Sequence, residues 1–242
     1  MTASSPRLSK NGARIAESIR LVGTRRMLAE HMTASHGIPS VSIFAQWDVE
    51  SLMAWRQELV AAAGSGDARV TVTHLIIYIV SRALLQHAYL NATIEDDEIH
   101  LLGDINIGVA VALPDGNLVV PVIRDAQSKS LADIAAESVT LTSNARTGQL
   151  RPKDVRGATF TITNVGILKE ALWQTPLVPA SQSAILAIGS IRQAPVVRGG
   201  TLAVGQVLSG SLSFDHRIVS GVPAAQFLAT IGRMVDGTRD IS

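Results

Sequence analysis

The chain has 242 residues, 47% of them hydrophobic and 17% charged, enough to bury one large core or at most two small ones, with one domain as the default. With 21 Lys and Arg against 20 Asp and Glu, its net charge of +1 gives no overall electrostatic reason to expect nucleic acid or an anionic membrane as partner. There is no cysteine, which excludes disulfides, zinc–thiolate sites, iron–sulfur clusters and a cysteine nucleophile, so any thiol chemistry must use a thiol brought by the substrate.

Residues 1–12 hold Ser, Pro and Lys but no apolar stretch of a secretory signal. Residues 1–19 are therefore expected to be a flexible arm, residues 20–242 one domain, and the cytoplasm the default location. Residues 20–35 set Leu21, Met27, Leu28 and Met32 among basic residues and read as a short strand turning into a helix at Gly23-Thr24. Residues 38–47 alternate, with Val41, Ile43 and Ala45 on one side, as a half-buried strand does. Asp48 is placed to cap a helix whose apolar positions Leu52, Met53, Leu59, Val60 and Ala63 recur at three and four residues, and Gly64-Ser65-Gly66 ends it. Thr73 reads as a second cap. The helix it opens, residues 74–87, is apolar nearly all round and belongs inside the fold. Its apolar run at 75–80 falls far short of the roughly 20 residues a bilayer span needs.

Two β-branched runs, 105–113 and 118–123, flank Pro114-Asp115-Gly116-Asn117, whose Asp-Gly pair predicts positive φ angles and a hairpin. Ser130 and Asp133 have capping-box spacing ahead of a helix carrying Leu131, Ile134, Ala135, Ser138, Val139, Thr142 and Ala145, which Gly148 closes. Strands are expected at 158–163, 183–191 and 201–214. A last helix from near Pro223 should bury Ala224, Phe227, Leu228, Ile231 and Val235. Helices and strands interleave while several strand pairs look antiparallel, which predicts an α/β sandwich with a mixed sheet covered by helices.

In the segment Ser211-Leu-Ser-Phe-Asp-His-Arg-Ile-Val-Ser-Gly221 a strand runs into Asp215, His216 and Arg217 and then into a helix. A helix N-terminus disfavours imidazolium, which suits a histidine acting as general base, and a solvated turn fits the same residues. Thr163 and Asn164 stand at a strand end before a glycine, where a hydroxyl can project into a cleft or a local Asx or ST turn can close the strand. His31, His36, His74, His87 and His100 show no metal-ligand spacing and read as structural or surface residues. There is no G-x-G-x-x-G after a strand and no P-loop, so a nucleotide site is unsupported.

Eight segments, in collinear order from about residue 19 to 235, resemble the catalytic domain of the dihydrolipoamide acyltransferases of 2-oxo-acid dehydrogenase complexes. They are Gly23-Thr-Arg-Arg-Met-Leu-Ala-Glu-His-Met32, Leu90-Asn-Ala92, Asn106-Ile-Gly-Val-Ala-Val111, Pro114-Asp-Gly116, Val119-Val-Pro-Val-Ile-Arg-Asp125, Thr159-Phe-Thr-Ile-Thr-Asn164, Ala184-Ile-Leu-Ala-Ile-Gly189 and Asp215-His-Arg217. The resemblance implies a chloramphenicol acetyltransferase-like fold and a homotrimer with active sites at the subunit interfaces. It implies transfer of an acyl group between coenzyme A, as substrate, and the thiol of dihydrolipoamide. The lipoyl group belongs to a partner protein or domain, dehydrogenase components are further partners, and no metal takes part. The family's catalytic histidine falls on His216, and its oxyanion-stabilising hydroxyl falls on Thr163, contributed across an interface. Asp215, Arg217 and Asn164 stand beside them as supporting residues.

The sequence departs from the family in three places. Where the family has Asp or Asn four residues after the histidine, this chain has Ser220, so a pair between an acid there and an arginine near the domain's start, by position Arg25, is missing. The loop at 166–181 lacks the family's second glycine and its Asn-Pro-Pro run, which bears on acyl specificity. The tail, Asp236-Gly-Thr-Arg-Asp-Ile-Ser242, is polar where the family has an apolar tail that docks trimers into larger cores. Nothing ahead of Arg20 is long enough for a lipoyl or peripheral-subunit-binding domain, so either an excised catalytic domain or a stand-alone relative is expected, and the tail favours the latter. Two alternatives also fit the retained residues: an acyltransferase acting on a phosphopantetheine carrier protein or a small alcohol or amine, and an inactive trimeric scaffold.

Overall fold

The computed structural model describes residues 7–64 and 69–237. Helix α1 spans Gly23–His36, and residues 20–22 before it form no strand, contrary to the expectation. Their side chains Leu21 and Val22 are exposed and meet no sheet edge that would order them.

Strand β1, Ser40–Asp48, follows the predicted alternation. Ile43, Ala45 and Trp47 face the core, while Val41 on the same side runs out past its rim. The Trp47 ring occupies the space a side chain at residue 210 would need: a Cβ on Gly210 would lie 2.5 Å from two of its ring carbons. The Trp47 indole Nε1 also donates to Leu228 O at 3.3 Å, so its polar atom is not buried without a partner. Helix α2 spans Glu50–Ala62, with Val49 at its cap position. Asp48 contributes from one residue earlier, its Oδ1 accepting from Glu50 N at 3.1 Å. Ser65 and Gly66, expected to help end this helix, lie outside the described residues.

Helix α3, Val72–Ala83, is capped by Thr71 and not by Thr73. A capping box needs its second member three residues on, and His74 supplies it. Thr71 Oγ1 accepts from His74 N, and His74 Nδ1 accepts from Thr71 N, each at 3.3 Å. The helix is buried nearly all round, as its composition predicts, and continues as 3-10 turns over Leu84–Gln86 and Ala88–Leu90.

Strands β2, Ala92–Glu95, and β3, Glu98–Leu101, form a hairpin the sequence did not reveal. Its turn residues Asp96 and Asp97 both take positive φ, 48° and 65°, without the glycine that normally marks such a turn. The single hairpin expected at 105–123 is split in two. Strands β4, Ile107–Val109, and β7, Val122–Ile123, pair within the main sheet, whereas β5, Val111–Ala112, and β6, Leu118–Val119, make a separate ladder at the turn. In that turn only Gly116 has positive φ, and Asp115 acts through its carboxylate, accepting from Asn117 N at 3.0 Å.

Helix α4, Leu131–Thr147, has the predicted Ser130–Asp133 capping box and stops at Gly148. Strands β8, Phe160–Asn164, β9, Ala184–Arg198, and β10, Thr201–Asp215, complete a six-stranded sheet in the order β1-β10-β9-β8-β4-β7. β8 runs parallel to β4 and β9 and the other pairs are antiparallel, so the sheet is mixed as expected. Helix α5, Gly221–Asp236, buries the whole predicted stripe of Ala224, Phe227, Leu228, Ile231 and Val235. Phe227 is the largest of these and fully buried, packed on Phe160, and truncating it to alanine would cost about 3–5 kcal/mol.

Helices α2 to α5 share one core with the sheet face that carries Trp47, Phe160, Ile162, Leu186 and Leu212. The opposite face is rich in hydroxyls and is crossed by residues 165–182, whose Val178 joins Ile38 and Ile185 in a smaller buried cluster. Among the described residues no helix is long and apolar enough to cross a membrane.

Candidate active site

His216 stands in the turn between β10 and α5, its side chain exposed. Its backbone N–H donates to Pro39 O at 2.9 Å and its ring lies 5.8 Å from that of core-facing Phe214. The residues on either side build the turn. Asp215 is buried, with its N–H donating to Ser183 O and its carbonyl accepting from Ile218 N and Val219 N. Its carboxylate takes both arms of Arg217: Oδ1 accepts from Nε at 2.9 Å and from the Arg217 N–H at 3.0 Å, and Oδ2 accepts from Nη2 at 2.6 Å. A bidentate, charge-assisted pair with one member buried is among the stronger local fasteners a turn can have, and it pushes the Arg217 guanidinium still further toward its charged form.

Thr163 lies at the far end of β8. Core-facing Phe160 and Ile162 alternate with Thr161 and Thr163, so Thr163 faces the hydroxyl-rich side. Next to it Asn164 does two jobs. Its Nδ2 donates to Thr73 Oγ1 at 2.9 Å, tying the strand end to the first turn of α3, and its Oδ1 accepts from Gly166 N at 2.8 Å in an Asx turn.

The strand register fixes how far apart the two candidate catalytic groups are within one chain. Thr163 is opposite Ala187 on β9, and Ala187 is opposite Ser211 on β10. Asp215 is four residues beyond Ser211, so it lies about 13 Å along the strand and two strand spacings, about 10 Å, to the side, roughly 16 Å in all. His216 is one residue further. The intervening surface is occupied: Thr161 Oγ1 donates to Gln182 Oε1 at 2.8 Å, and Ser211 Oγ donates to the carbonyl of Gln174. The His216 ring packs on a core-facing residue while Thr163 faces the other side, so the two do not meet in a single copy.

The remaining predicted residues are elsewhere. Ser220 occupies the cap position of α5 but its side chain makes no capping bond. Arg25, on α1, forms no ion pair among the described residues; its charge bears instead on the Asp115 turn. The Asp115 carboxyl is held below the ordinary carboxylate range mainly by bonds from Asn117, with Arg25 a lesser cause.

Sequence reasoning missed an aromatic pair on the row of Thr163. Phe44 on β1 is opposite Ser211, in line with Ala187 and Thr163, and its ring meets that of Trp173 edge-on at 6.4 Å. Both rings are about half exposed, at 50% and 47%. Trp173 lies in the loop whose sequence departs from the family pattern, the one signal that could have located the pair. Gly189 lets this loop approach: a Cβ there would fall well inside contact with Leu172 O.

The family model described as 2-oxoacid dehydrogenases acyltransferase (catalytic domain) matches residues 13–241. The dihydrolipoyllysine-residue acetyltransferase component of the pyruvate dehydrogenase complex of Bacillus subtilis is 34% identical over 220 residues, 90% of this chain and 49% of that protein. The chain thus spans about half the length of the curated relatives it matches. Azotobacter vinelandii dihydrolipoamide acetyltransferase, for which a serine, a histidine and an asparagine have been investigated in the catalytic mechanism, superposes with a TM-score of 0.89 at 29% identity over 99% of both chains. A chloramphenicol acetyltransferase at 12% identity, covering 85% of this chain and 94% of that one, has a TM-score of 0.52 and shares the fold.

Proposed function

The chain belongs to the 2-oxoacid dehydrogenase acyltransferase family, and from that premise we propose that it transfers an acyl group between coenzyme A and the thiol of a dihydrolipoyl group on a partner protein. One copy supplies His216 and its neighbour in a homotrimer supplies Thr163. The observation that carries this reading is the register: roughly 16 Å of occupied sheet separates the two groups in one chain, so a site that uses both forms only between copies.

In the proposed step an unprotonated ring nitrogen of His216 takes the proton of the acceptor thiol, and the thiolate sulfur attacks the thioester carbonyl carbon. The carbonyl π electrons move to oxygen, and the Thr163 hydroxyl of the neighbouring copy donates to that oxyanion. Collapse re-forms the carbonyl and breaks the original carbon–sulfur bond, and the departing thiolate receives the proton from His216. The Asp215–Arg217 pair holds the turn so that the imidazole is presented at a fixed place, and Asn164 fixes the strand end that presents Thr163. No metal is needed for these steps. Dehydrogenase components as partners, residues 1–19 as an arm ahead of the catalytic domain and a cytoplasmic location belong to the same proposal.

An assay of acyl transfer from acetyl-, propionyl- and branched acyl-coenzyme A to free dihydrolipoamide tests it. Turnover is expected with at least one donor, with a loss of about 10²–10⁴ in His216→Ala and about 10²–10³ in Thr163→Val. Full activity in a folded His216→Ala protein refutes the assignment of the base.

A further inference from the structure

On the helical side of the molecule, away from the hydroxyl-rich sheet face, α5 and the 3-10 turn after α3 border an open groove of about 330 Å³, lined by exposed Gln86, Gln226, Ala229 and Arg233 around half-buried His87 and buried Thr230. The proposed transfer uses none of its polar groups. Its lining contains one permanent cation, one imidazole and two amides, and no carboxylate. Among the described residues no acid forms an ion pair with Arg233.

The hydrogen bonds inside the groove determine which groups are donors. Thr230 Oγ1 lies 3.0 Å from Gln226 O, 2.9 Å from Arg233 Nη2 and 2.9 Å from His87 Nε2. A carbonyl only accepts, so the single Thr230 hydrogen goes to Gln226 O. The hydroxyl oxygen then accepts from the guanidinium, and its remaining acceptor capacity faces His87 Nε2, which must carry a hydrogen. Thr230 is buried and its partners are thereby held in place, and the His87 ring is further fixed edge-on to Phe227 at 5.5 Å. Arg233 Nη2 and His87 Nε2–H are thus both spent on Thr230, which holds the two side chains in place, while among the described residues the other guanidinium nitrogens of Arg233 and His87 Nδ1 have no hydrogen-bond partner.

We propose that this groove binds a phosphate group, free or on a small ester, through the unengaged guanidinium nitrogens of Arg233, with His87 donating from Nδ1 once it takes a proton beside the anion and the Gln86 and Gln226 amides as further donors. A volume near 330 Å³ holds about ten atoms of water size at about 30 Å³ each, enough for a phosphate and a short carbon fragment. Burial, and then the nearby Arg233 charge, hold His87 below its ordinary pKa, and a phosphate bound beside it would raise it.

The test uses the full chain, with inorganic phosphate and glycerol phosphate as probes against sodium chloride at matched ionic strength. Thermal unfolding and the His87 ring resonances are followed together. Each probe that binds should raise the melting temperature saturably and move the His87 signals toward the protonated form. In Arg233→Gln, exposed enough to fold normally, the apparent affinity should fall at least about tenfold. Tighter binding of the ester than of inorganic phosphate would identify the ester as the source, and equal binding the free ion. The proposal is overturned if neither probe differs from chloride, or if Arg233→Gln saturates as the parent does.

Discussion

If each site takes His216 from one copy and Thr163 from the next, two inactive variants should repair each other when mixed. His216→Ala lacks the base and Thr163→Val lacks the oxyanion donor, and each alone should retain about 1% of parental activity or less. Suppose the two are co-expressed with different tags in equal amounts and assemble at random into cyclic trimers. An interface is complete when its histidine comes from the Thr163→Val chain and its hydroxyl from the His216→Ala chain. Each condition holds about half the time, so about a quarter of the interfaces are competent and about a quarter of parental activity returns.

The structure gives this experiment its sharpness. A base and an oxyanion donor must each come within about 3 Å of adjacent atoms of one substrate, whereas within one chain the strand register holds their backbones roughly 16 Å apart, with the Thr161–Gln182 and Ser211–Gln174 bonds between them. No rotamer change closes that gap. Mixed trimers isolated through both tags should therefore show the gain, while the two proteins purified separately and assayed together without exchange should not. Activity in the doubly tagged species no higher than the sum of the separate variants refutes a shared site and the register reasoning behind it.

Three other outcomes follow from the geometry. Gly189→Ala should destabilise the fold by about 1–3 kcal/mol in chemical denaturation, because the new Cβ meets the backbone of Leu172 and the 165–182 segment must lift. Burial holds His74 below its ordinary pKa of about 6.5, and its Nδ1 must stay unprotonated to accept from Thr71 N. The unfolded chain therefore binds the proton more readily, the contribution is complete above pH ~6.5, and stability should fall between there and the lowered folded value. A His74→Asn variant should show a shallower fall over that window. Ser220→Ala should leave stability within about 0.5 kcal/mol, since the serine makes no capping bond, while Ser220→Asp should gain about 0.5–1 kcal/mol by completing the cap; a large loss in the alanine variant contradicts the observed geometry.

Elements whose determinants lie within one turn were legible. The Ser130–Asp133 box, Gly148 and the stripe of Ala224, Phe227, Leu228, Ile231 and Val235 are local patterns, and α4 and α5 form where those patterns predict. Thr73 reads as the cap of α3 because it too stands before the apolar run, and only the reciprocal bonds between Thr71 and His74 decide for Thr71. The β2–β3 hairpin stayed hidden because its two positive-φ positions are filled by Asp96 and Asp97. The split of the 105–123 hairpin follows from β8, which pairs with β4 and draws it into the main sheet, a partner some fifty residues away that no local pattern names. The same holds at the site. His216 and Thr163 could each be picked out by motif, but their separation is a property of the register across β8, β9 and β10. Phe44 and Trp173 come together only because the 165–182 segment folds back across the sheet.

The departure at Ser220 can be judged in the same terms. The resemblance implies that an acid or amide at this place holds the histidine-bearing turn through a pair that Ser220 cannot make. Here the turn is fastened without that side chain: Asp215 N to Ser183 O, His216 N to Pro39 O, two N–H groups on the Asp215 carbonyl, and the bidentate Arg217 on its carboxylate. Arg25, the expected partner, forms no ion pair among the described residues, and the turn is held without it. A change at 220 should thus register in the chemistry of transfer more than in the stability of the turn, whereas Arg217→Gln, which strips a buried carboxylate of its cation, should do the reverse first: it should loosen the turn by about 2 kcal/mol or more and lower kcat through the misplaced imidazole, with rescue by Arg217→Lys only partial because one ammonium cannot replace two guanidinium arms.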